Sequence, residues 1–156
     1  MEITIEKIKV NDAGVKIQYL ETIENGSIDT RTIASKNPPL QGLTAVLKAL
    51  RSDVALICDF EKSDEKHITV IGVSWGKGVV ITAEKTIPKT KKTICFNAPA
   101  TLQEEMGKGM MDNLAELQKQ SERYVRGERM QLETSAAPIK DEGLRLVDKN
   151  LKLRNN

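Results

Sequence analysis

Residues 15–33 decide the fold: Val15-Lys16-Ile17-Gln18-Tyr19, then Leu20 to Glu24, the pair Asn25-Gly26, and Ser27-Ile28 onward to Ile33. Val15, Ile17 and Tyr19 alternate with polar neighbours, the period-two pattern of a half-buried strand. Asn25-Gly26 lies between Ile23 and Ile28. A two-residue hairpin turn needs positive φ at both central positions, which Asn and Gly accept at little cost. Two antiparallel strands follow, the second ending near Ile33. Upstream, Ile3, Ile5, Ile8 and Val10 alternate with charged residues, and the phase slips between Ile5 and Ile8 as a bulge would produce. Asn11-Asp12-Ala13-Gly14 supplies the turn between them. The first third therefore reads as a three-stranded meander.

Pro38-Pro39 ends the sheet segment and opens a helix over about 39–57. One face of it carries Leu40, Leu43, Val46, Leu47, Leu50, Val54 and Ile57. A polar loop from Glu61 to Lys66 leads into a second alternating run, His67 to Trp75. Strict alternation puts His67, Thr69, Ile71, Val73 and Trp75 on one face and Ile68, Val70 and Gly72 on the other. Gly76-Lys77-Gly78 reverses the chain into Val79–Ala83, and Thr93–Asn97 reads as a sixth short strand. Apolar residues on both faces of this second hairpin predict a central or doubly covered position. Thr101-Leu102-Gln103-Glu104 has capping-box spacing. The strong helix is Met110–Arg126, with Met110, Leu114, Leu117, Ser121, Tyr124 and Val125 on one stripe and Gly127 as its stop. The expected fold is α+β: an antiparallel sheet of five or six strands in the order βββ-α-βββ-α, with two packed helices and a C-terminal extension. Residues 1–133 form the domain. Residues 134–156 form a linker and tail, a short helix or a hairpin, suited to docking on another subunit.

The chain has 156 residues, 29% charged and 39% hydrophobic, with a net charge of +2. That balance excludes a membrane protein and a wholly disordered chain, and no apolar run approaches the roughly 18 residues of a spanning helix. The first residues lack the apolar core of a signal peptide. Two separated cysteines without a CxxC pattern fit a reducing cytoplasm.

Reactive constellations are scarce. The single histidine, His67, with Cys58 and Cys95 does not make a four-ligand metal set, so no metal or other cofactor is expected. Gly72-Val73-Ser74-Trp75-Gly76 spells a nucleophile elbow, but it sits in a hairpin rather than a strand-to-helix turn, and the histidine precedes it. Gly76-Lys77-Gly78 is too short for a phosphate loop. These readings point away from an enzyme and towards a protein that acts by holding something.

The basic density is local. Lys77, Lys85, Lys89, Lys91 and Lys92 face Glu84 alone within residues 77–92, a net +4. A lysine-rich solvated loop is the plain reading. The functional one is a phosphate-binding stretch, with Trp75 stacking a base of a single-stranded nucleic acid.

His67-Ile68-Thr69-Val70-Ile71-Gly72-Val73-Ser74-Trp75, then Gly78–Ala83, Phe96-Asn97-Ala98-Pro99 and the helix end Glu122–Arg129 resemble small, largely uncharacterised accessory proteins of bacteriophages and prophages. The resemblance spans roughly residues 1–132 and rests on strand patterns. It implies a phage-encoded accessory protein that works beside replication and recombination. With the lysine-rich stretch and the tail, the leading expectation is a non-enzymatic binder of single-stranded nucleic acid in the host-cell cytoplasm, as a homo-oligomer. The resemblance also implies a clamp-binding segment after the last helix, where this chain has Arg129-Met130-Gln131-Leu132-Glu133 and no aromatic residue. Two further readings stay open: an inhibitor of a host defence system, by nucleotide sequestration or by binding a host protein, and a structural component of the virion.

Overall fold

The computed structural model describes residues 2–128. The expected domain boundary at 133 and the tail over 134–156 lie outside that range. Six strands form one antiparallel sheet: β1 (Glu2–Asn11), β2 (Gly14–Thr22), β3 (Ile28–Ser35), β4 (Ile68–Ser74), β5 (Val80–Thr86) and β6 (Thr93–Asn97). Their order across the sheet is β3-β2-β1-β4-β5-β6. Each meander thus contributes its first strand to the middle, where β1 and β4 run antiparallel. The fold is α+β, as the alternating patterns predict.

The turns fall where the sequence places them, but the one at Asn25-Gly26 is not the two-residue turn expected: the β2–β3 ladder ends at Thr22–Ile28, and residues 23–27 form a five-residue loop in which Gly26, at φ +86°, is left-handed and Asn25 is not. Asn11 Oδ1 accepts the Ala13 N–H at 2.8 Å, and Asn25 Oδ1 accepts that of Ser27 at 2.8 Å. The slip in the first strand is a bulge between Ile5 and Lys7. It returns Ile3, Ile5 and Ile8 to a single face, all buried, beside Val15 and Ile17.

The first helical stretch begins later than the prolines suggest and is split into α1 (Gln41–Ala49) and α2 (Arg51–Ile57). Pro39 precedes an extended Leu40, which occupies the N-cap. At Leu50, ψ is −8°, far from the helical value near −42°. The Ser52 hydroxyl donates to the Ala49 carbonyl at 3.2 Å, a side-chain intrusion into the helical ladder of the kind that kinks helices. The apolar stripe survives the break, with Leu43, Val46, Leu47, Leu50 and Val54 all buried. The polar loop before the second meander is a 3₁₀ turn, Lys62–His67.

The last helix, α3 (Lys108–Val125), buries Met110, Leu114, Leu117, Ser121 and Tyr124. Gly127 ends it at φ +105°. Its N–H bonds the Tyr124 carbonyl, and the next one, on Glu128, reaches back to that of Arg123. This is the paired closure of a Schellman motif. The expected capping box moves by one residue. Thr101 exchanges backbone hydrogen bonds with Val79 at 2.9 and 3.0 Å, which takes its N–H out of play. Glu105 therefore caps Leu102, at 2.9 Å, and opens a 3₁₀ turn over Gln103–Glu105 rather than a helix.

The second hairpin corrects the strict alternation read for it. A bulge between Val70 and Gly72 switches the phase, so that Ile68, Val70 and Val73 share the core-facing side with Ile81 and Ala83. Gly72 is required there. A Cβ on it would lie 2.7 Å from the Ile8 carbonyl oxygen, well inside van der Waals contact. β4 is central in the sheet, as expected. Within the described residues no helix is long and apolar enough to cross a membrane.

Candidate nucleic-acid interface

Direct cross-strand partners project from the same side of a sheet, so the register sorts every strand residue into two faces. The core face carries Ile3, Ile5, Ile8, Val15, Ile17, Val73, Ile81 and Ala83. The opposite face carries Glu2, Thr4, Lys7 and Lys9 on β1; Lys16, Gln18, Leu20 and Thr22 on β2; Ile28, Thr30, Thr32 and Ala34 on β3; Thr69, Gly72 and Ser74 on β4; Val80, Thr82, Glu84 and Thr86 on β5; and Thr93, Cys95 and Asn97 on β6.

On that second face three lysines gather. Lys9 stands directly opposite Lys16, and Lys7 stands opposite Gln18. All three are exposed, and none forms an ion pair with another described residue. The neighbouring acid is Glu6, which is taken up by a hydrogen bond from Gln18 Nε2 at 3.0 Å. On the β4 side, Gly72 lies beside Lys9 and leaves that flank without a side chain. Two like charges facing each other across a strand pair oppose folding. At about 5 Å in water the cost is roughly 0.8 kcal/mol before the side chains splay.

The residues chosen from linear charge density do not form one site. Lys85 turns to the core side: it lies opposite Ile68 and Ile94, stands 3.7 Å from Asp64 and sits 5.5 Å above the Phe60 ring. That lysine is engaged within the fold. Lys77 occupies the exposed β4–β5 turn. Lys89, Lys91 and Lys92 occupy the β5–β6 hairpin loop, closed by hydrogen bonds between Ile87 and Lys92 and between Lys91 and Ile87. The seven residues of β5 separate the two groups, about 23 Å of extended chain. Lys91 holds φ +62°, a region where glycine or asparagine is the usual occupant. Trp75 is half-buried against the core, and its backbone N–H donates to the Glu6 carbonyl at 2.9 Å. Phe60 and Phe96 meet edge to face at 5.8 Å, also on the core side. No aromatic ring is on the open face among the described residues, so stacking is not what that face offers.

Lys7, Lys9 and Lys16 escape a reading by linear charge density because they are dispersed in sequence. The signal was present: they occupy the polar phase of two strands whose apolar phase was read, and the Asn11–Gly14 turn fixes which of them stand opposite. Nor do His, Cys, Asp and Glu side chains gather in groups of three or more suited to a metal ion among the described residues. Burial raises the Cys58 thiol above its usual range. No family model, curated protein or solved structure matches the chain.

Proposed function

We propose that this protein is a non-enzymatic binder of single-stranded nucleic acid, held by its phosphates across the open face of the sheet at Lys7, Lys9 and Lys16. The observation that carries the reading is the Lys9–Lys16 opposition, free of ion pairs among the described residues and reinforced by Lys7, on a face otherwise rich in threonine. Hydroxyls and ammonium groups are the donors that phosphate oxygens accept. A flat face without rings favours a flexible backbone over stacked bases, so binding is sequence-tolerant and salt-sensitive. The β5–β6 loop, with Lys89, Lys91 and Lys92, stands two strands across and beyond the Thr86 end of β5. The path from the lysine triad to it runs over Thr82 and Thr86 with the Glu84 carboxylate between them, so the triad, not the loop, is the phosphate contact proposed. The resemblance to phage accessory proteins assigns such binding to replication or recombination in the host cytoplasm.

Anisotropy of a labelled 20-nucleotide single strand tests this. Three phosphate contacts give a slope of about −2 in log affinity against log salt, so that raising salt from 50 to 200 mM weakens binding roughly 20-fold. Replacing Lys7, Lys9 and Lys16 together by glutamine should remove most of that slope. No binding at 100 μM protein in 50 mM salt, or a slope unchanged in the triple variant, rejects the reading.

A further inference from the structure

β3 is an outer strand of the sheet, eight residues long, and most of it is exposed. Such an edge offers a row of unpaired backbone groups, and soluble proteins blunt or cover edges of this length. Which groups are unpaired follows from the turn. The Ile23 N–H donates to the Ser27 carbonyl at 3.0 Å, in the same register that places Glu21 opposite Asp29 and Tyr19 opposite Arg31. Hydrogen-bonded pairs alternate along an antiparallel ladder. Asp29, Arg31, Ile33 and Ser35 therefore bond inward to β2, while Ile28, Thr30, Thr32 and Ala34 turn their N–H and C=O groups outward.

We infer that this edge pairs with the same edge of a second copy of the chain, antiparallel about a two-fold axis at Thr30. Outward groups meet outward groups only when even-numbered residues stand opposite even-numbered ones, which leaves few registers. Charge selects among them. With Thr30 opposite the partner's Thr30, Asp29 faces the partner's Arg31 and Arg31 faces the partner's Asp29, both on the core-face side. Moving the axis to residue 31 sets the two arginines against each other, and moving it to residue 29 does the same to the aspartates. In the chosen register Ile28, 63% exposed, lies opposite the partner's Thr32. Within one chain Asp29 is only 3.6 Å from the Arg31 guanidinium, whose closer partner is Glu21 at 2.5 Å, so Asp29 has room for a second cation. A two-fold normal to the sheet puts both lysine triads on one side of a continuous twelve-stranded surface. The pairing itself does not depend on the nucleic-acid reading.

The full-length protein tests it in two ways. In a Cys95→Ser background, Thr30→Cys should oxidise to a covalent dimer. Opposed residues of a hydrogen-bonded pair sit near 5.5 Å between Cα atoms, inside the disulfide window. Thr32→Cys should not, because its own symmetry mate lies about 13 Å further along the strand. Sedimentation should give a concentration-dependent dimer that Arg31→Asp weakens at least tenfold and that the swap Asp29→Arg with Arg31→Asp restores, circular dichroism confirming that both variants stay folded. A monomer at 100 μM, cross-linking through position 32 as fast as through 30, or a swap that fails to restore the dimer overturns the proposal.

Discussion

At the scale of single residues, Asp53 is where burial and charge conflict most openly. It lies in the first turn of α2, with Oδ2 buried and without a hydrogen-bond partner among the described residues. Desolvation pushes its carboxyl above 3.8, Glu65 adds to the rise, and a hydrogen bond with Asn113 opposes it. A group that holds its proton more tightly folded than unfolded contributes most below the unfolded value, and that contribution is lost as pH climbs through the folded one. At neutral pH the charged carboxylate is therefore a net penalty. Asp53→Asn keeps a partner for Asn113 and removes the charge. The variant should melt higher than wild type at pH 7, with the two curves converging as pH falls towards 3.8. A lower melting temperature at pH 7 would show that the favourable charge of an acid at a helix start outweighs its desolvation.

At the scale of elements, the seam between the two meanders concentrates the risk. β1 and β4 share only the pairs Lys7–Ser74, Ile8–Val73 and Lys9–Gly72, and the approach depends on Gly72 having no Cβ. Gly72→Ala forces an atom to 2.7 Å from the Ile8 carbonyl, and the three nearest atoms are all β1 backbone rather than the end of a flexible side chain. We expect a loss of about 2–4 kcal/mol by urea denaturation, in the range of overpacked or strained core positions. A loss under 0.5 kcal/mol would mean that the seam relaxes freely. The same seam marks the limit of what was legible. Turns at Asn11 and Gly127, and the place though not the type of the turn at Asn25, were readable because their causes are local: a side chain that bonds two residues on, or a glycine at positive φ. The bulge at Ile71, the break at Leu50 and the cap moved to Leu102 each answer to a partner distant in sequence or to a competing side chain. Alternation alone placed Ile68 and Val73 on opposite faces for that reason.

For the whole molecule, the contrast between linear and spatial charge decides where function is sought. Residues 77–92 hold the densest run of lysines, yet strand geometry sends Lys85 to the core side and parts Lys77 from Lys89, Lys91 and Lys92 by the length of β5. The open face draws its charge from strands that look evenly mixed in sequence. Under the proposed function Lys16 serves two purposes that disagree in sign. As a structural residue it costs stability, because it confronts Lys9 where a β-branched residue would fit the pleat better. In the proposed role, as a ligand for phosphate, it contributes affinity. Lys16→Thr should raise stability by about 0.5–1 kcal/mol at low salt, the gain shrinking towards 0.5 M salt as the repulsion is screened. The same substitution should weaken oligonucleotide binding several-fold at 50 mM salt and flatten its salt dependence. A merely solvating lysine would move stability alone, and a structurally required one would lower it. Stability rising while affinity falls is the combination that a site held against the preference of its own fold must give.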